Sequence, residues 1–124
     1  MRNDYQPYFR QLSAKLRELG YVDVRESDLD AEFSLISGWT LIFECEKYGG
    51  PAFTLLIVPP VGLGNSEGYA IWILMRAFEK LDGKSYGKPT IDAQIDFLIQ
   101  KSKQIFDNTS YYESEYARLD RLPP

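Results

Sequence analysis

Residues 39 to 58 constrain this chain most narrowly. From Trp39 to Lys47 apolar and polar residues alternate with a period of two. Trp39, Leu41, Phe43 and Cys45 fall on one side of an extended strand, and Thr40, Ile42, Glu44 and Glu46 on the other. Gly49-Gly50 supplies a turn, and Pro51 limits the start of the next run. That run, Ala52 to Val58, is more apolar and is ended by Pro59-Pro60. Tyr21 to Val24 is a short candidate strand, and Ala31 to Ser37 alternates loosely. Extended runs joined by such short links read as an antiparallel meander of three or four strands.

Helical spacing lies on both sides of this block. Phe9, Leu12, Leu16 and Leu19 recur at helical intervals, with Asn3 or Asp4 as the expected cap, Pro7 in the first turn and Gly20 as the stop. Gly68 to Asp82 carries Ile71, Leu74, Met75, Phe78 and Leu81 on one face. Ala70, Trp72, Ile73 and Ala77 make its first half apolar nearly all round, so it is expected to be the central helix. Asn65 or Ser66 is its expected cap, and Asp82-Gly83 ends it. Pro89 or Thr90 opens a helix with the inner stripe Ile91, Ile95, Leu98, Ser102 and Ile105. The capping box Ser110–Glu113 opens a last one, from about Tyr111 to Leu119, before Pro123-Pro124. The order is α-β-β-β-α-α-α. Grouped strands followed by grouped helices give an α+β class, with helices mainly on one face of an antiparallel sheet. The 124 residues fit a single domain, 1–124.

The charge is unevenly distributed. Asp23, Glu26, Asp28, Asp30 and Glu32 lie within ten residues that contain one base, Arg25, and this segment holds the whole net charge of −4. Glu44 and Glu46 extend it on one strand face. Two readings stand: a solvated loop that maintains solubility, or a docking surface for an electropositive partner. Either one disfavours nucleic acid and anionic membranes, because phosphate binding needs clustered Lys and Arg. The stretch Tyr69 to Met75 is too short to cross a bilayer, which takes about 20 residues. Met1 to Arg10 lacks an apolar segment of the kind a secretory signal carries, and there is a single cysteine. The expected location is therefore cytoplasmic. The chain has no histidine, which removes the commonest general base and metal ligand.

The motifs are weak. Asp28-x-Asp30-x-Glu32 resembles the start of a calcium loop, but Phe33 and Trp39 stand where that loop needs Gly and Glu. Glu44 and Glu46 lie side by side on one strand and do not flank a substrate as a glycosidase pair does. Gly62-x-Gly64 lacks the third glycine and the βαβ setting of a dinucleotide loop. Cys45 falls on the apolar strand face, as a structural thiol does. Tyr111, Tyr112 and Tyr116 either dock their helix on the core or, with Glu113 and Glu115, offer a contact surface; Trp39, Tyr48 and Tyr86 border turns and are weaker candidates of that kind. No catalytic residue, cofactor or metal site is expected.

Three runs carry a resemblance: Gly38-Trp39-Thr40-Leu41-Ile42-Phe43-Glu44, Pro51-Ala52-Phe53-Thr54-Leu55, and Gly87-Lys88-Pro89-Thr90-Ile91-Asp92-Ala93-Gln94-Ile95-Asp96-Phe97-Leu98. In style the chain resembles small bacterial immunity proteins of contact-dependent inhibition and other polymorphic toxin systems. The resemblance implies a cytoplasmic antidote, not an enzyme, that binds and blocks a cognate toxin domain, often a nuclease. It transfers no binding residues. From charge and aromatic content, the expected partner-facing set is Asp23, Glu26, Asp28, Asp30, Glu32, Glu44, Glu46, Tyr48, Tyr111 and Tyr112, facing a basic toxin domain. A general interaction or regulatory module is the alternative reading. A small histidine-free enzyme using carboxylates is a weaker one.

Overall fold

The computed structural model describes residues 1–123; Pro124, part of the expected chain-end pair, lies outside them. The elements run α1 (Gln6–Leu16), β1 (Tyr21–Glu26), β2 (Asp30–Leu35), β3 (Thr40–Cys45), β4 (Phe53–Val58), β5 (Tyr69–Ala70), α2 (Ile71–Asp82), α3 (Ile91–Gln100), α4 (Ser102–Asp107) and α5 (Glu113–Asp120). Short 3-10 turns at Asn3–Tyr5 and Thr109–Tyr111 lead into α1 and α5. The α+β class and the antiparallel sheet agree with the expectation. The sheet has five strands in sequential order β1-β2-β3-β4-β5. The added strand, β5, is only two residues long and pairs Ala70 with Leu56 and Tyr69 with Ile57. Its pattern is too short to read locally.

The period of two settles which face is covered. Ala31, Phe33 and Leu35 of β2, Leu41, Phe43 and Cys45 of β3, and Leu55 and Ile57 of β4 are all buried. The residues between them, Glu32, Ser34, Thr40, Ile42, Thr54, Leu56 and Val58, stay half-exposed. The helices therefore pack against the first set. Phe9 lies 5.9 Å from Phe33, and Phe106 5.2 Å from Trp39, between ring centroids. Leu12, Leu16, Leu74, Phe78, Ile95 and Leu98 complete a continuous core. Each such side chain stabilises the fold by about 1.5–3 kcal/mol through removal from water. Trp39 belongs to this core as well.

Several element boundaries differ from expectation. α2 starts at Ile71 because Tyr69 and Ala70 are drawn into the sheet. Asn65 closes a turn, its Oδ1 accepting from the Glu67 N–H at 3.0 Å, and does not cap the helix. Gly68 has φ +84°, and a Cβ there would come within 2.8 Å of Val58 Cγ2, so only glycine fits. The single expected helix over 91–105 breaks at Lys101 into α3 and α4. Ser110 bonds Asn108 Oδ1 at 2.8 Å, and Glu113 accepts from the Tyr69 hydroxyl at 3.1 Å, so the capping box does not form. Asp4 is taken up by Arg2 and does not cap α1. Thr90 does cap α3, accepting from the Ala93 N–H at 3.1 Å. Gly83, at φ +69°, ends α2.

Candidate functional site

The turns β1–β2 and β3–β4 lie at the same end of the meander, because successive strands alternate in direction. The chain start straps this end. The Arg2 N–H donates to the Asp28 carbonyl at 2.8 Å, and the Tyr5 hydroxyl donates to the Glu46 carbonyl at 2.6 Å. The Cys45 N–H donates to the Leu29 carbonyl at 2.8 Å, joining the two turns. The carboxylates on these turns are thus carried by backbone that is already fixed.

Asp30 pairs directly with Glu44 across β2 and β3. Because the neighbouring Leu29 and Cys45 share a hydrogen bond, Asp30 and Glu44 occupy the non-hydrogen-bonded position of the ladder, where facing Cα atoms approach to about 4.5 Å. Like charges so placed destabilise a sheet. Among the described residues, no lysine, arginine or terminal amine lies within 4.0 Å of Asp23, Asp28, Asp30, Glu44 or Glu46. Arg2, the obvious neutraliser, spends its guanidinium on Asp4 and on the Lys47 carbonyl, each at 2.8 Å. Among the described residues, the Asp30 carboxylate accepts only from the Ser27 hydroxyl, at 2.8 Å, which places it without cancelling its charge.

The expected set divides accordingly. Asp28, Asp30, Glu44 and Glu46 converge at one end, with Glu26 beside them, 4.0 Å from the Met1 amine. Glu32 is paired with Arg25 at 3.3 Å. Asp23 sits farther along β1, opposite Ser34. Tyr48 is 81% exposed in the β3–β4 turn, with the Lys47 ammonium 5.4 Å from its ring, so it belongs to the acidic end. Tyr111 and Tyr112 do not. Tyr112 is fully buried, its ring 5.3 Å from Tyr69, and its hydroxyl donates to the Ile105 carbonyl at 2.6 Å. Burial pushes its phenol far above the ordinary range. It docks its helix on the core and offers no contact surface. Tyr111 is exposed but lies in the helical layer, its hydroxyl bonded to Asp82.

That bond belongs to a cluster that carries no local sequence signal beyond the Asp82–Tyr86 spacing. The Asp82 carboxylate accepts from the Tyr86 hydroxyl at 2.5 Å, from the Tyr111 hydroxyl, and pairs with Lys101 Nζ at 3.4 Å. Burial works to raise the Asp82 carboxyl. The hydrogen bonds from Tyr111, Tyr86 and Lys101 outweigh it and hold the group below the usual carboxylate value. The cluster fastens the end of α2 to the α3–α4 junction and the turn before α5.

Other chemistry-bearing groups are similarly occupied. Burial, with a smaller contribution from Asp30, pushes the Cys45 thiol up to about 11, so no thiolate forms near neutrality. A groove beside α5 is lined by Gly64, Asn65, Tyr69, Glu113 and Tyr116. Its tyrosine hydroxyls are engaged by the fold: Tyr116 accepts from the Ala70 N–H at 2.7 Å, and Tyr69 from the Asn65 N–H at 3.1 Å. Among the described residues, no group of three or more carboxylates and thiols is placed to hold a metal ion, and no helix is long and apolar enough to cross a membrane. Comparison with protein-family models, curated proteins and solved structures gives no match.

Proposed function

We propose that this chain works by stoichiometric binding, as an immunity-type inhibitor whose acidic sheet end docks on a basic protein domain. The observation that carries the reading is the Asp30–Glu44 pair. Two carboxylates are held opposite one another in the closest register of the ladder, without a cation, on strapped backbone. The arrangement costs the fold stability, and the cost is recovered when a cationic surface covers the pair. Asp28, Glu46 and the exposed Tyr48 ring surround it, giving a charged rim with one rigid aromatic contact. Beyond the pair, Thr40, Ile42, Thr54 and Leu56 form a half-exposed floor onto which a partner can extend.

A nuclease-type toxin domain fits this surface, because its substrate cleft must be basic to hold phosphates. An acidic end seated in or beside that cleft excludes the substrate without any chemistry. Concentrated negative potential also speeds the encounter and rejects acidic competitors. The site of action is then the cytoplasm, where such a toxin acts.

The test is co-expression with the toxin encoded beside the gene. Growth is rescued by the wild-type chain, and the two proteins co-purify in equal amounts. The combined variant Asp28→Asn, Asp30→Asn, Glu44→Gln, Glu46→Gln folds but fails to rescue. If it rescues as well as wild type, the acidic end is not the docking surface. If the neighbouring gene product proves harmless and a housekeeping protein co-purifies instead, the immunity role is wrong.

A further inference from the structure

The two edges of the sheet are treated differently. β5 is short and its outer side is closed: the Ala70 N–H donates to the Tyr116 hydroxyl of α5 at 2.7 Å. β1 is six residues long and, among the described residues, pairs only with β2. Val22 is 73% and Val24 39% exposed, and Asp23, Arg25 and Glu26 are exposed as well. The Ser27 N–H donates to the Asp30 carbonyl at 2.9 Å, so the alternation of the ladder turns the N–H and C=O of Glu26 and Val24 away from β2. These groups form an open template for another strand.

We propose that this edge pairs with the β1 edge of a second copy of this chain, antiparallel, with Val24 on the two-fold axis. The strand Tyr21-Val22-Asp23-Val24-Arg25-Glu26 is self-complementary about that residue alone. Centred there, Val24 meets Val24 and each donates its outward N–H to the other's carbonyl. Asp23 of each copy then faces Arg25 of the other, twice by symmetry. Centring on Asp23 or on Arg25 opposes like charges, and a parallel arrangement stacks them. Arg25 already pairs with Glu32 at 3.3 Å, while Asp23 has no cation of its own. Association completes a row in which Glu32, Arg25 and the second copy's Asp23 alternate in sign across the joined sheet. The β-bulge between Tyr21 and Asp23 limits the contact to the strand's last residues. A contact this short is weak, so the assembly depends on concentration. It leaves Asp28, Asp30, Glu44 and Glu46 uncovered and is independent of the inhibitor reading.

Sedimentation equilibrium of the full chain from about 1 µM to about 1 mM spans the affinities such a contact can reach. The wild-type mass rises from 14.3 kDa towards twice that value with concentration. Arg25→Asp sets carboxylates against Asp23 and weakens association by about tenfold or more. The triple exchange Asp23→Arg, Arg25→Asp, Glu32→Arg, which inverts every sign in the row, restores it. Val24→Pro abolishes it: proline is tolerated on an edge strand whose N–H faces outward, so circular dichroism stays that of wild type. A wild-type chain that remains a monomer throughout overturns the proposal. So does a dimer that survives Val24→Pro, or one that the triple exchange fails to restore.

Discussion

Replacing Asp82 by alanine removes the acceptor shared by Tyr86, Tyr111 and Lys101. Hydrogen bonds to a charged group contribute about 1.5–3 kcal/mol each when buried. Here the Asp82 side chain is 17% exposed and Tyr111 can turn to water, so the sum is well below three full bonds. Lys101 bears the larger loss. It is 16% exposed and would keep only Tyr86, whose hydroxyl also supports its charge and whose ring lies 5.6 Å away. Against this, removing a carboxylate from the last turn of α2 relieves a repulsion with the helix dipole of about 0.5 kcal/mol. The net expectation is a loss of about 2 kcal/mol, or roughly 8 °C in melting temperature for a domain of this size. Urea denaturation followed by tryptophan fluorescence measures it, since Trp39 is buried in the core. The pH dependence follows from the direction of the shift. Asp82 is held below its ordinary value of 3.8. Its contribution is complete above that pH and is lost as pH falls through the lower, folded-state value. The gap between wild type and Asp82→Ala therefore closes in acid. A loss under about 0.5 kcal/mol, within ordinary surface variation, or a gap that widens in acid, refutes the latch.

Three further outcomes are expected. Gln94 is buried with its Oε1 unpartnered, while its Nε2 donates to the carbonyl of Pro89, an exposed residue, at 2.8 Å; Gln94→Leu should raise stability by about 1 kcal/mol in urea titrations, because a carbonyl in that loop can turn to water. Cys45, with its thiol pushed up to about 11, should react with Ellman's reagent only after unfolding or in strongly alkaline solution, and rapid labelling at neutral pH would show the burial to be wrong. Glu44→Gln relieves the repulsion with Asp30, so it should raise the denaturation midpoint at low ionic strength, with the gain vanishing near 1 M salt; a lower midpoint would contradict the unneutralised pair.

The range of each interaction decides whether the sequence discloses it. Trp39 to Val58 was legible as two strands because burial against helices writes a period of two into neighbouring residues. Thr90 and Gly83 were legible because a cap is made within one turn of its helix. The start of α2 was misplaced because the pairing of Tyr69 and Ala70 with Ile57 and Leu56 is a long-range choice that overrides their apolar helical spacing. No Gly or Pro between Ile91 and Asp107 marks the break at Lys101; its partner Asp82 comes from another element. At the candidate site, the density of acids was visible in the sequence. Their sorting was not. Register alone puts Asp30 against Glu44 and Glu32 against Arg25, and packing alone takes Tyr112 into the core.

The docking role of the acidic end is tested most directly by the association rate with the neighbouring toxin domain, measured by stopped flow across a series of salt concentrations. For the wild-type chain the rate should fall steeply as salt is added. For the variant neutralised at Asp28, Asp30, Glu44 and Glu46 it should start about tenfold or more lower and respond weakly to salt. Equal rates and equal salt slopes for the two proteins would contradict it.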